Sequence, residues 1–122
     1  VASATSAVLV QVLKVTFGRA RPSDILVHVD PGSFPSGHVA NAATVAVAIA
    51  FIVGRAWVWV AGAVYVLVMA LSRTYLGAHW VSDTVGGALL GAAVSVLLFT
   101  AFAPRLGDDS WRRAARPDGV EP

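Results

Sequence analysis

Four apolar runs, each long enough to form most of a membrane crossing, leave this chain few folds to choose from. Residues 39–54 are interrupted only by Asn41 and Thr44, residues 56–71 and 84–103 are nearly continuous, and residues 1–13 are apolar apart from Ser3, Thr5, Ser6 and Gln11. In hydrocarbon every backbone N–H and C=O must be satisfied within the protein, so only helices and closed barrels cross it. These runs are too long and too unbroken for the alternating strands of a barrel. The expected fold class is all-α, a transmembrane bundle of about four spanning helices.

The punctuation between the runs fits that reading. Gly18 suits the end of a first helix, and the polar stretch from Arg19 to Phe34, broken by Pro22 and by Asp30-Pro31-Gly32, reads as an interfacial loop. As a helix, residues 39–54 are about 24 Å long, a little short of a hydrocarbon core of roughly 30 Å. Arg55 separates this run from the next so tightly that the two should form an antiparallel hairpin, with Trp57 and Trp59 in an interfacial aromatic belt. Gly87 and Gly91 give the last run a face small enough for close helix contact. Pro104 is expected to end that span. The division expected is a membrane-embedded core over residues 1–104 and a disordered polar tail over residues 105–122. The chain opens at Val1, inside an apolar run and without a basic leader, so further spans are expected to precede it.

Composition excludes several chemistries. Hydrophobic residues make up 57% of the chain and charged residues 13%, far from a soluble domain. The absence of cysteine removes disulfides, thiolate metal sites and thiol nucleophiles. A formal charge of +2, with arginines scattered at the ends of apolar runs, is no footprint for nucleic acid, which is set aside as a partner. No Asp/Glu cluster falls in the spans, so no divalent metal and no other cofactor is expected.

Counting crossings places the loop after Gly18 and the segment from Ser72 to Asp83 at one end of the bundle, with Arg55 and the tail at the other. Basic residues alone do not separate the ends. Setting aside Lys14, Arg21 and Arg73, which belong to the polar cluster described next, the positive-inside rule puts Arg55 and the tail in the cytoplasm and the polar cluster on the outer face.

That cluster has three parts. Lys14 and Arg21-Pro22 are six residues apart, Pro35-Ser36-Gly37-His38 opens a helix whose first N–H groups and dipole attract an anion, and Ser72-Arg73 is followed by His79 and Asp83. If the chain is helical from His79 onward, Asp83 stands at i+4 and its carboxylate accepts the Nδ1 proton, leaving Nε2 as a nucleophile. Arg73 offers a guanidinium fork and Ser72 a further donor. Three cations, a helix N-terminus, two imidazoles and one carboxylate make an anion site with acid–base groups attached. Phosphate suits it, because phosphoryl transfer depends chiefly on positioning and charge stabilisation.

Lys14-x6-Arg21-Pro22, Pro35-Ser36-Gly37-His38 and Ser72-Arg73-x5-His79-x3-Asp83 together resemble the three-part signature of the type 2 phosphatidic acid phosphatase superfamily, which includes lipid phosphate phosphatases and vanadium-dependent haloperoxidases. All three parts match without a substitution, over residues 14–83. Integral-membrane members usually have about six spans, so the resemblance implies an N-terminally truncated six-span fold. It further implies a metal-independent phosphatase acting on a lipid phosphomonoester or diphosphate, such as phosphatidic acid, phosphatidylglycerol phosphate or a polyprenyl diphosphate. His79 would form a phosphohistidine, with Asp83 fixing its tautomer and His38 protonating the leaving group and then activating water. Lys14, Arg21, Arg73, the Ser36 hydroxyl and the Gly37 amide would bind the phosphoryl oxygens.

Other readings use the same residues. A lipid alcohol in place of water as acceptor makes the protein a phosphotransferase, and vanadate in the phosphate site makes it a haloperoxidase, although members of that kind are soluble. A scaffold that merely binds phospholipid headgroups needs neither histidine. Outside the signature, Arg19 and His28 read as ordinary interfacial residues and Asp24 and Asp30 as loop and turn residues. Trp80 joins the aromatic belt, and Asn41 and Thr44 are expected to bond between helices.

Overall fold

The computed structural model describes residues 1–28 and 31–114, with side chains to Phe102. Asp30 and residues 115–122 of the tail therefore lie outside the described residues. Four helices follow one another with no strand among the described residues: α1, Ala2–Phe17; α2, Gly37–Val53; α3, Ala56–Tyr75; and α4, Val81–Ala114. The all-α architecture is thus as expected. Both α3 and the Val81–Phe102 part of α4 are long and apolar enough to cross a membrane, whereas α1 and α2, at 16 and 17 residues, are apolar but shorter.

The helix ends follow local chemistry. Gly18 and Gly54 close α1 and α2 in the left-handed conformation, φ 53° and 65°, which costs a residue without Cβ nothing. Their N–H groups bond back to the carbonyls of Lys14 and Ala50. Arg55 caps α3 from an extended conformation, completing the expected tight hairpin. Helix α4 runs on through Pro104 as far as Ala114, beyond the apolar run that ends at Ala103. Good helix formers flank the proline, Ala103 before it and Arg105-Leu106 after it.

Helix α2 is the central element and packs against all three others, most extensively against α4. Its buried side chains are mostly small, Ala40, Ala42, Ala43, Thr44 and Ala50 with Val39, so backbones approach closely. The expected small face of α4 is what meets them. A Cβ on Gly87 would lie 2.5 Å from the Ser36 carbonyl oxygen, and one on Gly91 would run into the carbonyl of Ala40. Thr44 completes the seam as expected, donating to Ala40 at 2.8 Å and to Gly91 across the interface at 3.3 Å, while Ser95 donates to the Thr44 carbonyl at 2.7 Å. At the far end Phe51 stacks on Phe99 and meets Trp59 edge-on.

Helix α3 buries only Val58. Most of its other large apolar side chains, Trp57, Val60, Val64, Leu67, Val68 and Leu71 among them, are exposed. So continuous an apolar face is stable against hydrocarbon rather than water.

Candidate active site

The two ends of the bundle are chemically distinct. At the end where α1 and α3 finish and α2 and α4 begin, the loop after Gly18 folds over the α3–α4 turn, its Leu26 N–H bonding to the Leu76 carbonyl at 3.1 Å. Beneath it lies a cavity of about 550 Å³. Lys14 reaches its wall from the last turn of α1, Arg73 from the last turn of α3, Gly37 and His38 from the first turn of α2, Arg21 from the loop and His79 from the turn before α4. Six of the nine residues singled out from the sequence therefore share one wall. Three cations and a helix N-terminus so placed make a strongly anion-attracting hollow.

His79 is 4% exposed and its orientation is fixed, though not in the expected way. Nδ1 lies 2.7 Å from the Ser33 carbonyl oxygen, while the nearer Asp83 oxygen is 3.8 Å away, beyond hydrogen-bond reach. The i,i+4 argument required helix at His79, but α4 starts at Val81. Asp83 then occupies the third helical position and reaches back to the Trp80 N–H at 2.9 Å, the reciprocal half of a capping box. Its other oxygen meets Arg19 Nη1 at 2.7 Å. Because a carbonyl only accepts, the imidazole proton sits on Nδ1 and the lone pair on Nε2. That is the tautomer expected of a nucleophile, set by Ser33 instead of Asp83.

Burial is the main force holding the His79 pKa down, to about 4; the Arg21 and Lys14 charges push the same way, while the Ser33 carbonyl and Asp83 oppose them. The ring is neutral at neutral pH.

The loop is built to hold these groups. Arg21 Nη1 donates to the Ala78 carbonyl at 2.5 Å and Nη2 to that of Gly32 at 2.9 Å, which brings Nη1 within 3.4 Å of His79 Nε2. Ser33 is pinned by its N–H to the Arg19 carbonyl and by its hydroxyl to that of Ala20. On α3, the Arg73 Nε is buried without a partner among the described residues.

Three of the expected residues do not line the cavity. Asp83 is fully buried behind it. Ser36, also fully buried, donates its N–H to the Asp83 carbonyl at 2.9 Å, and its hydroxyl has no partner among the described residues. Ser72 is likewise absent from the wall. Among the described residues no three His, Asp or Glu side chains converge as a metal site.

Sequence reasoning passed over several participants. Arg19, read as an ordinary interfacial residue, donates from Nη1 to both Ser82 Oγ and Asp83 and lies over the Trp80 ring. Trp80, assigned to the belt, donates its indole N–H to the Ala20 carbonyl at 3.1 Å. Asn41 is on the cavity wall and not between helices, alongside Gln11, Tyr65 and His28. The signal was in the spacing: Asn41 is three residues beyond His38 and Gln11 three before Lys14, so each shares a helix face with a residue already singled out.

Comparison with known proteins agrees with this architecture. Phosphatidylglycerophosphatase B of Bacillus subtilis is 36% identical over 104 residues, an overlap covering 77% of this chain and 51% of the relative. An undecaprenyl-diphosphatase of Sulfolobus acidocaldarius is 37% identical over 65 residues, 53% of this chain and 31% of the relative. The chain thus spans about half the length, or less, of these relatives. A solved transmembrane PAP2 type phosphatidylglycerolphosphate phosphatase from Bacillus subtilis matches with a TM-score of 0.76 at 36% identity, covering 85% of this chain and 56% of that one. The sequence pattern of the PAP2 superfamily extends over residues 1–106, and the chain belongs to that superfamily.

Proposed function

We infer that the chain is the catalytic part of a membrane phosphatase that hydrolyses a lipid phosphate through a phosphohistidine. The observation that carries this reading is the shared wall of Lys14, Arg21, Arg73, His38 and His79, with the His79 proton committed to Ser33 and the Nε2 lone pair, 3.4 Å from Arg21 Nη1, as the nucleophile. The names of the relatives, all lipid or polyprenyl phosphatases, support it.

In the first step Nε2 attacks phosphorus and the bond to the leaving oxygen breaks, with His38 supplying its proton. Lys14, Arg21, Arg73 and the Gly37 amide take up the charge on the equatorial oxygens. Water, deprotonated by His38, then attacks the phosphohistidine and releases inorganic phosphate. Asp83 acts at one remove, holding Arg19 and the start of α4. The cavity faces the outer side of the cell membrane and the C-terminus the cytoplasm, consistent with the distribution of Arg55 and the tail arginines.

The test is a rapid acid-free quench of the full-length protein with a phosphorus-labelled lipid phosphate. Label bound to the protein, stable to base and labile to acid, and absent from a His79→Ala variant, is the expected result. Full turnover by His79→Ala would overturn the assignment.

A further inference from the structure

Below the charged wall lies a second polar layer. Gln11 precedes Lys14 by three residues on α1, Asn41 follows His38 by three on α2, and Tyr65 precedes Arg73 by eight on α3. All three displacements run from the loop end into the bundle, by about 4.5 Å for Gln11 and Asn41 and about 12 Å for Tyr65. All three side chains are exposed on the wall of the same cavity. Neutral groups at this depth in apolar helices are costly unless something polar meets them.

Their chemistry differs from that of the layer above. Two amides and a phenol both donate and accept hydrogen bonds and carry no charge. A second phosphoryl group, which only accepts and is anionic, calls for cations. A hydroxyl or an ester oxygen is matched by amides and phenols. The direction of the reaction says which part of a substrate arrives there. In-line displacement puts the leaving oxygen opposite the nucleophile, beside the general acid. His38 is that acid in the function proposed above, on which this inference rests, and Asn41 stands one turn deeper on the same face of α2. The group bonded to the leaving oxygen must pass Asn41 on its way to the hydrocarbon.

We propose that Gln11, Asn41 and Tyr65 read an oxygen-rich linker between phosphate and lipid tail, so that the substrate is a phosphomonoester carried on a hydroxylated glycerol or sugar unit and not a polyprenyl diphosphate. Glycerol and sugar share the chemistry of vicinal hydroxyl and ether oxygens, and this layer suits both.

The experiment compares kcat/KM of the full-length protein, in mixed micelles, on four probes. These are phosphatidylglycerol phosphate with a glycerol linker, an alkyl glucoside 6-phosphate with a sugar linker, dodecyl phosphate with none, and a polyprenyl diphosphate. A linker-bearing monoester should exceed dodecyl phosphate by about tenfold or more, and the faster of the two identifies the linker. Asn41→Leu, Gln11→Leu and Tyr65→Phe should each lower that ratio by about five- to tenfold, the loss of one hydrogen bond. Tyr65→Phe removes a single oxygen, so it keeps the test open if a leucine variant fails to fold. Equal rates on dodecyl phosphate and both linker-bearing probes, an unchanged ratio in Tyr65→Phe, or the diphosphate as fastest substrate would overturn the proposal while leaving the phosphatase reading intact. Hydrolysis of none of the four would overturn both.

Discussion

The carbonyl oxygen of Ser33 stands 2.7 Å from His79 Nδ1 and fixes which ring nitrogen carries the proton. A backbone group from the loop after α1 thereby orients the imidazole that precedes α4. Loop and imidazole are one unit, so perturbing the loop should be read in the state of the ring.

The first prediction concerns that state. With a pKa lowered from 6.5 to about 4, His79 should remain neutral through pH 5, where an unperturbed histidine is mostly charged. Nitrogen-15 NMR of labelled histidines, with the His79 signal assigned by its loss in a His79→Gln variant, should show that ring still neutral at pH 5. Since the folded state binds fewer protons than the unfolded chain between about 4 and 6.5, this group makes stability fall as pH drops through that window. A His79 ring titrating near 6.5 would contradict the burial and the contacts described.

A second prediction follows from the Arg19–Asp83 pair. The carboxylate is fully buried and the arginine side chain 42% exposed. Arg19→Ala strands the carboxylate and should lower stability by about 1–3 kcal/mol, at the low end because water reaches the arginine side. Asp83→Asn keeps an acceptor for the Trp80 N–H and should cost less. Thermal unfolding of both single variants and the double should give a double-variant loss smaller than the sum. Strict additivity would show that the pair contributes nothing.

Third, the α2–α4 seam should reject a methyl group. Gly91→Ala drives a Cβ into the Ala40 carbonyl and should cost about 1–3 kcal/mol. Gly62→Ala, whose Cβ would sit 3.1 Å from the Ala46 methyl and not inside a carbonyl, asks for a smaller shift and should cost less. The order of the two melting temperatures checks this.

Fourth, turnover should survive chelators. The charges that would face phosphate are Lys14, Arg21 and Arg73, and no three metal-ligating side chains converge among the described residues. Activity lost in EDTA and restored by magnesium would refute a cation-only site.

The bundle and the charged wall were legible because they depend on features that side-chain order displays. Apolar runs interrupted at Gly18, Gly54 and Arg55 gave the helices, and cations placed just inside run ends gave the cavity. What stayed hidden depends on where a helix begins. Starting α4 two residues after His79 turned Asp83 from a histidine partner into a cap, and passed its former task to a carbonyl, which no side-chain pattern reveals. Arg19 was missed because it lies in irregular chain, where neighbours are set by tertiary folding and not by period. Asn41 was placed between helices because amides in apolar runs usually bond there; its spacing from His38 pointed instead to the cavity.

The seam of Gly87 and Gly91 has a reach beyond packing. Helices α2 and α4 both start at the cavity, one carrying His38 in its first turn and the other following directly on His79. The gauge between those helices is thus also the gauge between His38 and His79, the acid and the nucleophile of the proposed reaction. Widening it would misalign the two imidazoles without altering either ring, and a variant there should lose turnover before it loses its fold.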